Sequence, residues 1–382
     1  MIRRITNDDI DDIIKLENDT INTTLGRELF ELAVRSEMAY YYVYLENNKI
    51  VGYISSSFDG STVEILNFCV YKEYQNKGIG TKLICHLLDE CYKKGALYSV
   101  LDVRESNDKA RKLYSRLGYK DIHVRKAYYS NGDNAILMQK AFTPYQDLYQ
   151  SYMENFCVIE RNKDYISYRD DNYKIKYDYN KYEITNEENL DKVMKKIKKD
   201  NNRNFLELET SFRHNEDFPN MVESNCIILH SNIANIKLEA KYSDVRLYEK
   251  CYRDDYLKFN YDEDLRYDTA YAEVNGKFKA DQCENKPKSF RSFLVYDNNK
   301  LIGIVDTYQF MDTAYIENFV ILEDYRKKGY GTSLFKGMLD KLEECGVHDV
   351  YLDADNDDTP KFMYKKWGFV EVGSYYSYHE DY

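Results

Sequence analysis

The chain lacks any run approaching the roughly 18 uninterrupted apolar residues that a membrane-spanning helix needs. It also lacks an excess of positive charge: 54 Lys and Arg stand against 66 Asp and Glu, giving a net charge of −12. Phosphate recognition needs a basic face, so this balance argues against nucleic acid as a partner. It is compatible with cationic amine substrates, although an acidic surface also serves plain solubility. No CxxC, HxxxH or HExxH occurs, and the 8 cysteines and 6 histidines are dispersed, so no metal site is expected. Several cysteines sit in apolar stretches (NFCV, LICHLL) and read as reduced, buried thiols of a cytosolic protein. The opening MIRRITNDDIDDIIKL carries basic residues with no apolar segment behind them, so no signal peptide is expected. The expectation is a soluble, cytoplasmic monomer or homodimer with neither membrane nor nucleic-acid partners.

Proline is scarce, 4 in 382 residues, and the stretch 146–250 is poor in both Pro and Gly, which excludes a flexible linker there. What is present describes a globular chain: 43% hydrophobic and 31% charged residues, long enough for two or three compact units. Tyrosine is abundant, at 40 residues or about one position in ten, so a single tyrosine at a catalytic position can be there by composition alone.

Three blocks recur in one register. ENNKIVG (46–52) returns as DNNKLIG (297–303), and NFCVYKEYQNKGIGT (67–81) as NFVILEDYRKKGYGT (318–332), both offset by 251. Tyr114 with Gly118-Tyr119 returns as Tyr364 with Gly368-Phe369, offset by 250. The chain therefore carries a duplicated domain. In the first repeat, 39–45 and 50–57 read as strands joined at Asn47-Asn48, and 62–71 as a third strand. A glycine turn then leads into a helix whose Leu83, Ile84, Leu87, Leu88 and Cys91 recur at helical spacing up to Gly95. A strand at 97–103, a short helix NDKARKLYSRLG and strands at 122–129 and 134–140 complete a mixed α/β sheet. Three segments are expected: 1–145, an intervening α/β segment 146–250, and a second repeat 251–382. The middle segment reads either as a degenerate part-copy or as part of the second domain. The second repeat stops about ten residues early, so its last strand is absent or supplied from elsewhere, with NCIILHS a candidate.

The chemistry begins at Gln75-Asn76-Lys77-Gly78-Ile79-Gly80 and at Arg326-Lys327-Lys328-Gly329-Tyr330-Gly331. Glycines two apart before a helix let backbone N–H groups converge on an anion, and the helix N-terminus adds partial positive charge. Neither turn is a Walker loop, for both lack GK[ST] after four spacers, and a Rossmann fingerprint would need a third glycine.

The order strand, [QR]-x-x-G-x-G, helix, strand, Y-x-x-x-G-[YF] resembles the GNAT N-acetyltransferase superfamily in both repeats. The first repeat resembles the RimI type, the ribosomal-protein-alanine N-acetyltransferases, through NFCV, YQNKGIG, LDVRESNDKARKLYSRLGY and Tyr128-Tyr129 before DNAILM. This resemblance covers residues 1–142; the second repeat matches only the general pattern, from about 290 to 370.

The resemblance implies a GNAT fold in tandem and acetyl transfer from acetyl-CoA to a primary amine, either a protein N-terminus or a small amine, by direct attack in a ternary complex. It places the backbone of Phe68, Cys69 and Val70 along the pantetheine arm and the turn from Gln75 and Asn76 through Lys77, Gly78, Ile79 and Gly80 to Thr81 around the pyrophosphate. Asn107 would bond the cofactor. Tyr114 would protonate the departing thiolate, unless it is simply a core tyrosine. Asp102 and Glu64 are alternative bases, and Tyr128 and Tyr129 either line the acceptor or form an aromatic strand face. In the second repeat the corresponding cofactor positions are Phe319, Val320, Ile321, Arg326, Lys327, Lys328, Gly329, Tyr330, Gly331, Thr332 and Tyr364. There Asp357 stands where the first repeat has Asn107, unless Asn356 serves after a one-residue gap, and Glu317 is a possible base. Chemistry is therefore expected in the first repeat and a supporting role in the second. A non-catalytic acyl-CoA-binding scaffold is the alternative.

Overall fold

In a computed structural model, residues 1–381 are described apart from 22, 143–144, 172, 186–189, 202, 204, 212, 215–217, 219, 243 and 267–268. The chain begins β1 (Ile2–Arg4), α1 (Ile10–Ile21), α2 (Arg27–Arg35), β2 (Tyr42–Glu46) and β3 (Lys49–Phe58). Asn47 and Asn48 make the tight hairpin expected of them, with φ of 50° and 61°. Then follow β4 (Thr62–Val70), α3 (Ile79–Tyr92), β5 (Tyr98–Arg104), α4 (Asp108–Arg116), β6 (Lys120–Arg125) and β7 (Ala135–Ala141). These form one sheet in the order β1-β2-β3-β4-β5-β7-β6. All its neighbours are antiparallel except β4 and β5. The strand expected over 122–129 ends at Arg125, because Ala127 takes a φ of 48° and turns the chain out of the sheet.

One feature of β4 organises this sheet. Ser55 pairs with Asn67 but Ser56 with Ile65, so Leu66 is an extra residue, a bulge. A single inserted residue reverses which side chains face which way. Before the bulge, Val63 and Ile65 point into the core shared with Leu83, Leu87, Leu101 and Tyr114; after it, Val70 does. Cys69 now points to the opposite core, with Ile13, Phe30 and Tyr53. Thus α3 and α4 cover one face of the sheet, and α1 and α2 the other. The bulge also ends pairing with β5: the parallel register runs only from Thr62–Tyr98 to Ile65–Leu101. Beyond it the two strands part.

Two compact units result: Met1–Pro144 with Ser231–Ile236, and Tyr145–His230 with Lys237–Tyr382. The second therefore takes in almost all of the segment between the repeats. It runs α5 (Tyr145–Glu154), β8 (Val158–Arg161), β9 (Tyr165–Arg169), β10 (Tyr182–Ile184), α6 (Leu190–Asp200), β11 (Phe205–Thr210) and β12 (Val222–Asn232). The expected start of α6, at 188–189, lies outside the described residues. The second repeat supplies β13 (Val245–Leu247), α7 (Arg253–Asp264), α8 (Thr269–Asn285), β14 (Phe290–Asp297), β15 (Lys300–Phe310), β16 (Thr313–Ile321), α9 (Tyr330–Glu344), β17 (Asp349–Asp355), α10 (Pro360–Trp367) and β18 (Val370–Asp381).

All eleven strands of this unit form one sheet, β13-β14-β15-β16-β17-β12-β18-β11-β10-β9-β8. Strand β12, which carries NCIILHS, lies between β17 and β18, where β7 lies beside β5 in the first unit. On the far side, β8 to β11 repeat the orientations of β2 to β5: two antiparallel pairs, then a parallel pair, β10 with β11. The middle segment is thus fused through β12 and β18 into a single sheet with the second repeat. Leu229 in β12 is fully buried. Leu229→Ala is expected to cost about 2–5 kcal/mol of stability, as buried leucine truncations do. Denaturant titration of the full chain checks this; a loss below about 0.5 kcal/mol, the range of ordinary surface substitutions, would show that β12 is not integral to the core.

Candidate functional site

The split between β4 and β5 exposes an unpaired strand edge. Tyr71 N–H donates to the Val51 carbonyl, so alternation turns the peptide groups of Cys69 toward β3 and those of Phe68 and Val70 toward the split. Of the three expected pantetheine positions, the Phe68 peptide and the Val70 N–H therefore face the split, while Cys69 buries its thiol against α1 and α2, where burial raises its pKa to about 12.

The glycine turn follows directly. Asn76 and Gly78 adopt left-handed φ of 61° and 78°, and Gly78 caps α3. Gln75 braces the turn: its Nε2 donates to the Val70 carbonyl at 3.0 Å, and its Oε1 accepts from Lys109 of α4 at 2.8 Å. A Cβ at Gly80 would lie 2.8 Å from the tip of the Phe68 ring. The first turn of α3, with Ile79, Gly80 and Thr81, thus packs on the split strand with its amides facing outward. Lys77, held over the Tyr74 ring at 4.8 Å, adds positive charge beside it. The combination suits a pyrophosphate followed by an extended amide-bearing arm.

The acid–base candidates gather at the split from both faces of the sheet. Tyr114 of α4 is buried; its hydroxyl makes no hydrogen bond to the described chain, and burial raises its pKa. Glu64 and Asp102 alternate with the core residues Val63, Ile65, Leu101 and Val103, and so point to the opposite face. Asp102 is held by Arg125 of β6 at 3.0 Å. Glu64 is exposed and makes no hydrogen bond or ion pair within the described chain. Tyr128 and Tyr129 come from the loop after β6, not from a strand. The Arg104 guanidinium lies 3.9 Å over the Tyr129 ring and that of Arg125 5.5 Å over Tyr128. Burial, and then the neighbouring Asp102 carboxylate, raise the Tyr128 pKa, with Glu64 contributing. Tyr129 acts in the same way on Tyr114. Asn107 is committed on one side, since its Oδ1 caps α4 by accepting from Ala110 N at 3.1 Å, leaving its amide N–H₂ as the group for a ligand.

The second unit repeats this frame with different fittings. Its bulge residue is Glu317, and the parallel register of β16 and β17 stops at Ile316–Leu352. Leu322 N–H donates to the Ile302 carbonyl, turning the peptides of Phe319 and Ile321, and not that of Val320, toward the split. Lys327 and Gly329 are left-handed, and Arg326 Nε donates to the Ile321 carbonyl at 2.9 Å, as Gln75 does to Val70. Here, however, Tyr242 stacks on Tyr330 at 4.1 Å and donates to the Lys328 carbonyl, and Ser333 accepts two backbone N–H groups from Lys241 and Tyr242. Tyr330 is thus spent on packing, while Gly331 and Thr332 line a cavity of about 1020 Å³ with Tyr364. Asp357 lies in an exposed turn before α10, which begins only at Pro360. It caps no helix as Asn107 does.

Sequence reasoning missed the residues that gather around this cavity away from the glycine turn. Asp353, at the position of Asp102, accepts hydrogen bonds from Tyr145 (2.8 Å), Tyr315 (3.2 Å) and Tyr375 (3.0 Å). The helical spacing of Tyr145, Tyr149 and Tyr152 was the available signal for a tyrosine face on α5.

The acetyltransferase (GNAT) family profile matches residues 7–119 and 245–369. An uncharacterised N-acetyltransferase of Methanocaldococcus jannaschii is 33% identical over 141 residues, 37% of this chain and 90% of that one. The [ribosomal protein bS18]-alanine N-acetyltransferase of Escherichia coli K12 is 33% identical over 96 residues, 24% of this chain and 65% of that one. A functionally unknown conserved protein of Staphylococcus epidermidis shares the fold, with a TM-score of 0.53 and 19% identity over 63% of this chain and 98% of that one. Replacing Gly80 with Val in the full chain forces a side chain onto Phe68 and is expected to weaken coenzyme A binding by more than about tenfold, or about 1.4 kcal/mol. Calorimetry on the folded variant checks this, and unchanged affinity would place the cradle elsewhere.

Proposed function

The chain belongs to the acetyltransferase (GNAT) family, and from that premise we propose that its first unit transfers an acetyl group from acetyl-CoA to a primary amine at a protein N-terminus. The observation that carries this reading is the placing of Tyr114 on one face of the β4–β5 split and of Glu64 and Asp102 on the other, beside a braced glycine turn. Acetyl-CoA supplies an acyl carbon activated as a thioester.

The residues of the first unit then divide the work. The amides after Gly78 hold the pyrophosphate, Phe68 and Val70 bond the arm in sheet fashion, and Asn107 donates its side-chain amide. The acceptor enters on the carboxylate face, between Tyr128 and Tyr129, in a loop that is open to solvent: Tyr128 is 49% exposed. That openness suits the end of a polypeptide. Glu64, without a partner in the described chain, takes the ammonium proton directly or through one water. Asp102, anchored by Arg125, fixes Tyr128. Tyr114, kept protonated by burial, gives its proton to the departing sulfur and is reprotonated by the second proton that the acylated nitrogen sheds. The similarity to an enzyme named for ribosomal-protein alanine acetylation supports a peptide acceptor.

Tyr114→Phe is expected to lower kcat by about 10²–10⁴-fold while acetyl-CoA affinity stays nearly unchanged, because only a transition-state proton donor is removed. Thiol release with a tetrapeptide acceptor measures this, and undiminished turnover would remove Tyr114 from the mechanism. In the same assay Glu64→Gln is expected to shift the pH profile and lower kcat more than Asp102→Asn; the reverse order would assign the base to Asp102.

A further inference from the structure

The cavity of about 1020 Å³ lies wholly within the second unit. It takes in Gly331 and Thr332 of the glycine turn, Phe319 and Tyr364 at the split, and a polar chamber walled by residues that precede the second repeat. Two of the eight carboxylates that line it, Glu317 at the bulge of β16 and Asp353 on β17, stand at the split. Asp353 lies deep, receives three tyrosine hydroxyls, and makes no ion pair among the described residues; burial raises its pKa. Glu317 Oε1 accepts from Tyr179 at 2.9 Å and lies 4.0 Å from Lys279, which is held closer, at 3.2 Å, by Asp306. Glu317 Oε2 is buried and has no hydrogen-bond partner among the described residues. The matching positions of the first unit are different in kind: Asp102 has Arg125, and Leu66 is an exposed leucine.

We propose that the second unit is an acyl-acceptor site in its own right, taking a small cationic amine between Glu317 and Asp353 under the tyrosines of α5. An orphaned carboxylate oxygen inside a cavity calls for a donor, and an ammonium supplies the opposite charge that a carboxylate without an ion pair lacks. Hydroxyls of Tyr179, Tyr315 and Tyr375 around the two acids orient a compact polar cation. The volume, at the upper end of small-ligand pockets, accommodates a thioester arm and a compact amine. The walls on the carboxylate side come from α5, β11 and β18, through Tyr149, Tyr152, Glu209 and Tyr375.

The inference rests on the acyl-thioester chemistry proposed above. The amine nitrogen gives up two protons, one through Glu317 to solvent and one to the departing sulfur by way of the Tyr364 hydroxyl. The nitrogen–carbon bond forms as the carbon–sulfur bond breaks. Tyr364 is buried beside Phe335, Trp367 and Phe369 and lines the cavity, as this relay requires.

Two measurements on the full chain test the assignment. Calorimetry with cadaverine, spermidine and glucosamine, without any thioester, is expected to show at least one binding, weakened by at least about tenfold in Glu317→Gln. With acetyl-CoA present, the ratio of small-amine to tetrapeptide turnover is expected to fall by at least about tenfold in Glu317→Gln and in Tyr364→Phe, and to rise in Tyr114→Phe. The ratio is read on variants whose circular dichroism matches the parent. No binding by any of the three amines, or binding indifferent to Glu317→Gln, overturns the inference. So does a ratio that falls in Tyr114→Phe and stays constant in the other two. Absence of thiol release with every acceptor, the tetrapeptide included, would instead overturn the acetyl-transfer reading, which calorimetry without thioester does not depend on.

Discussion

The parting of two parallel strands at a one-residue bulge is the constraint on which each unit depends. A parallel pair hydrogen-bonded along its whole length would leave no free backbone and no passage through the sheet. The bulges at Leu66 and Glu317 end the pairing after four residues, and the strand that continues alone turns the peptides of two residues toward the split, with the carbonyl of the second taken by Gln75 or Arg326. Unpaired backbone inside a folded protein is costly unless something bonds it. The same chain then enters a left-handed glycine turn and a helix whose first amides point outward. Edge and turn together form a continuous line of donors and acceptors, which is the complement of a pyrophosphate joined to an amide-bearing arm.

Identical frames have been fitted out for different surroundings. Position 102 and its counterpart 353 both carry aspartate, yet one is paired with an arginine near the surface and the other is ringed by tyrosines in a cavity. The difference comes from what covers the carboxylate face. In the first unit that cover is a short loop pinned by Arg104 through Asp133 (2.7 Å) and through the Tyr129 ring. In the second it is a half-sheet and a helix contributed by residues 145–230. The composition reflects this: the tyrosines at 149, 152, 179, 315 and 375 line one chamber and Tyr145 donates to its Asp353, so the bias is partly architectural.

Repeats, turns and the helix after each turn were legible in the sequence because each depends on local rules: glycine where φ is positive, asparagines in a hairpin, apolar residues every three to four positions. The strand NCIILHS was legible as a candidate last strand of the second repeat, and β12 does lie beside β17 as β7 lies beside β5. Three things were not legible. The early elements α1 and α2 gave no motif, although Ile10, Ile13 and Leu16 form their buried stripe. The bulge at Leu66 leaves no compositional trace, yet it decides that Val70 and Cys69 face opposite cores. The ion pair of Asp102 with Arg125 and the commitment of Tyr330 to Tyr242 join residues 23 and 88 positions apart, and only the folded register brings such residues together.

Hydrogen exchange of the full chain with and without coenzyme A tests the central claim most directly. The account predicts slowed exchange at the Phe68 and Val70 amides and across the first turn of α3, residues 78–81, because the former are left unpaired by the split and the latter by the start of the helix. Slowed exchange confined to other segments, with residues 68–81 unchanged under saturating coenzyme A, would contradict it.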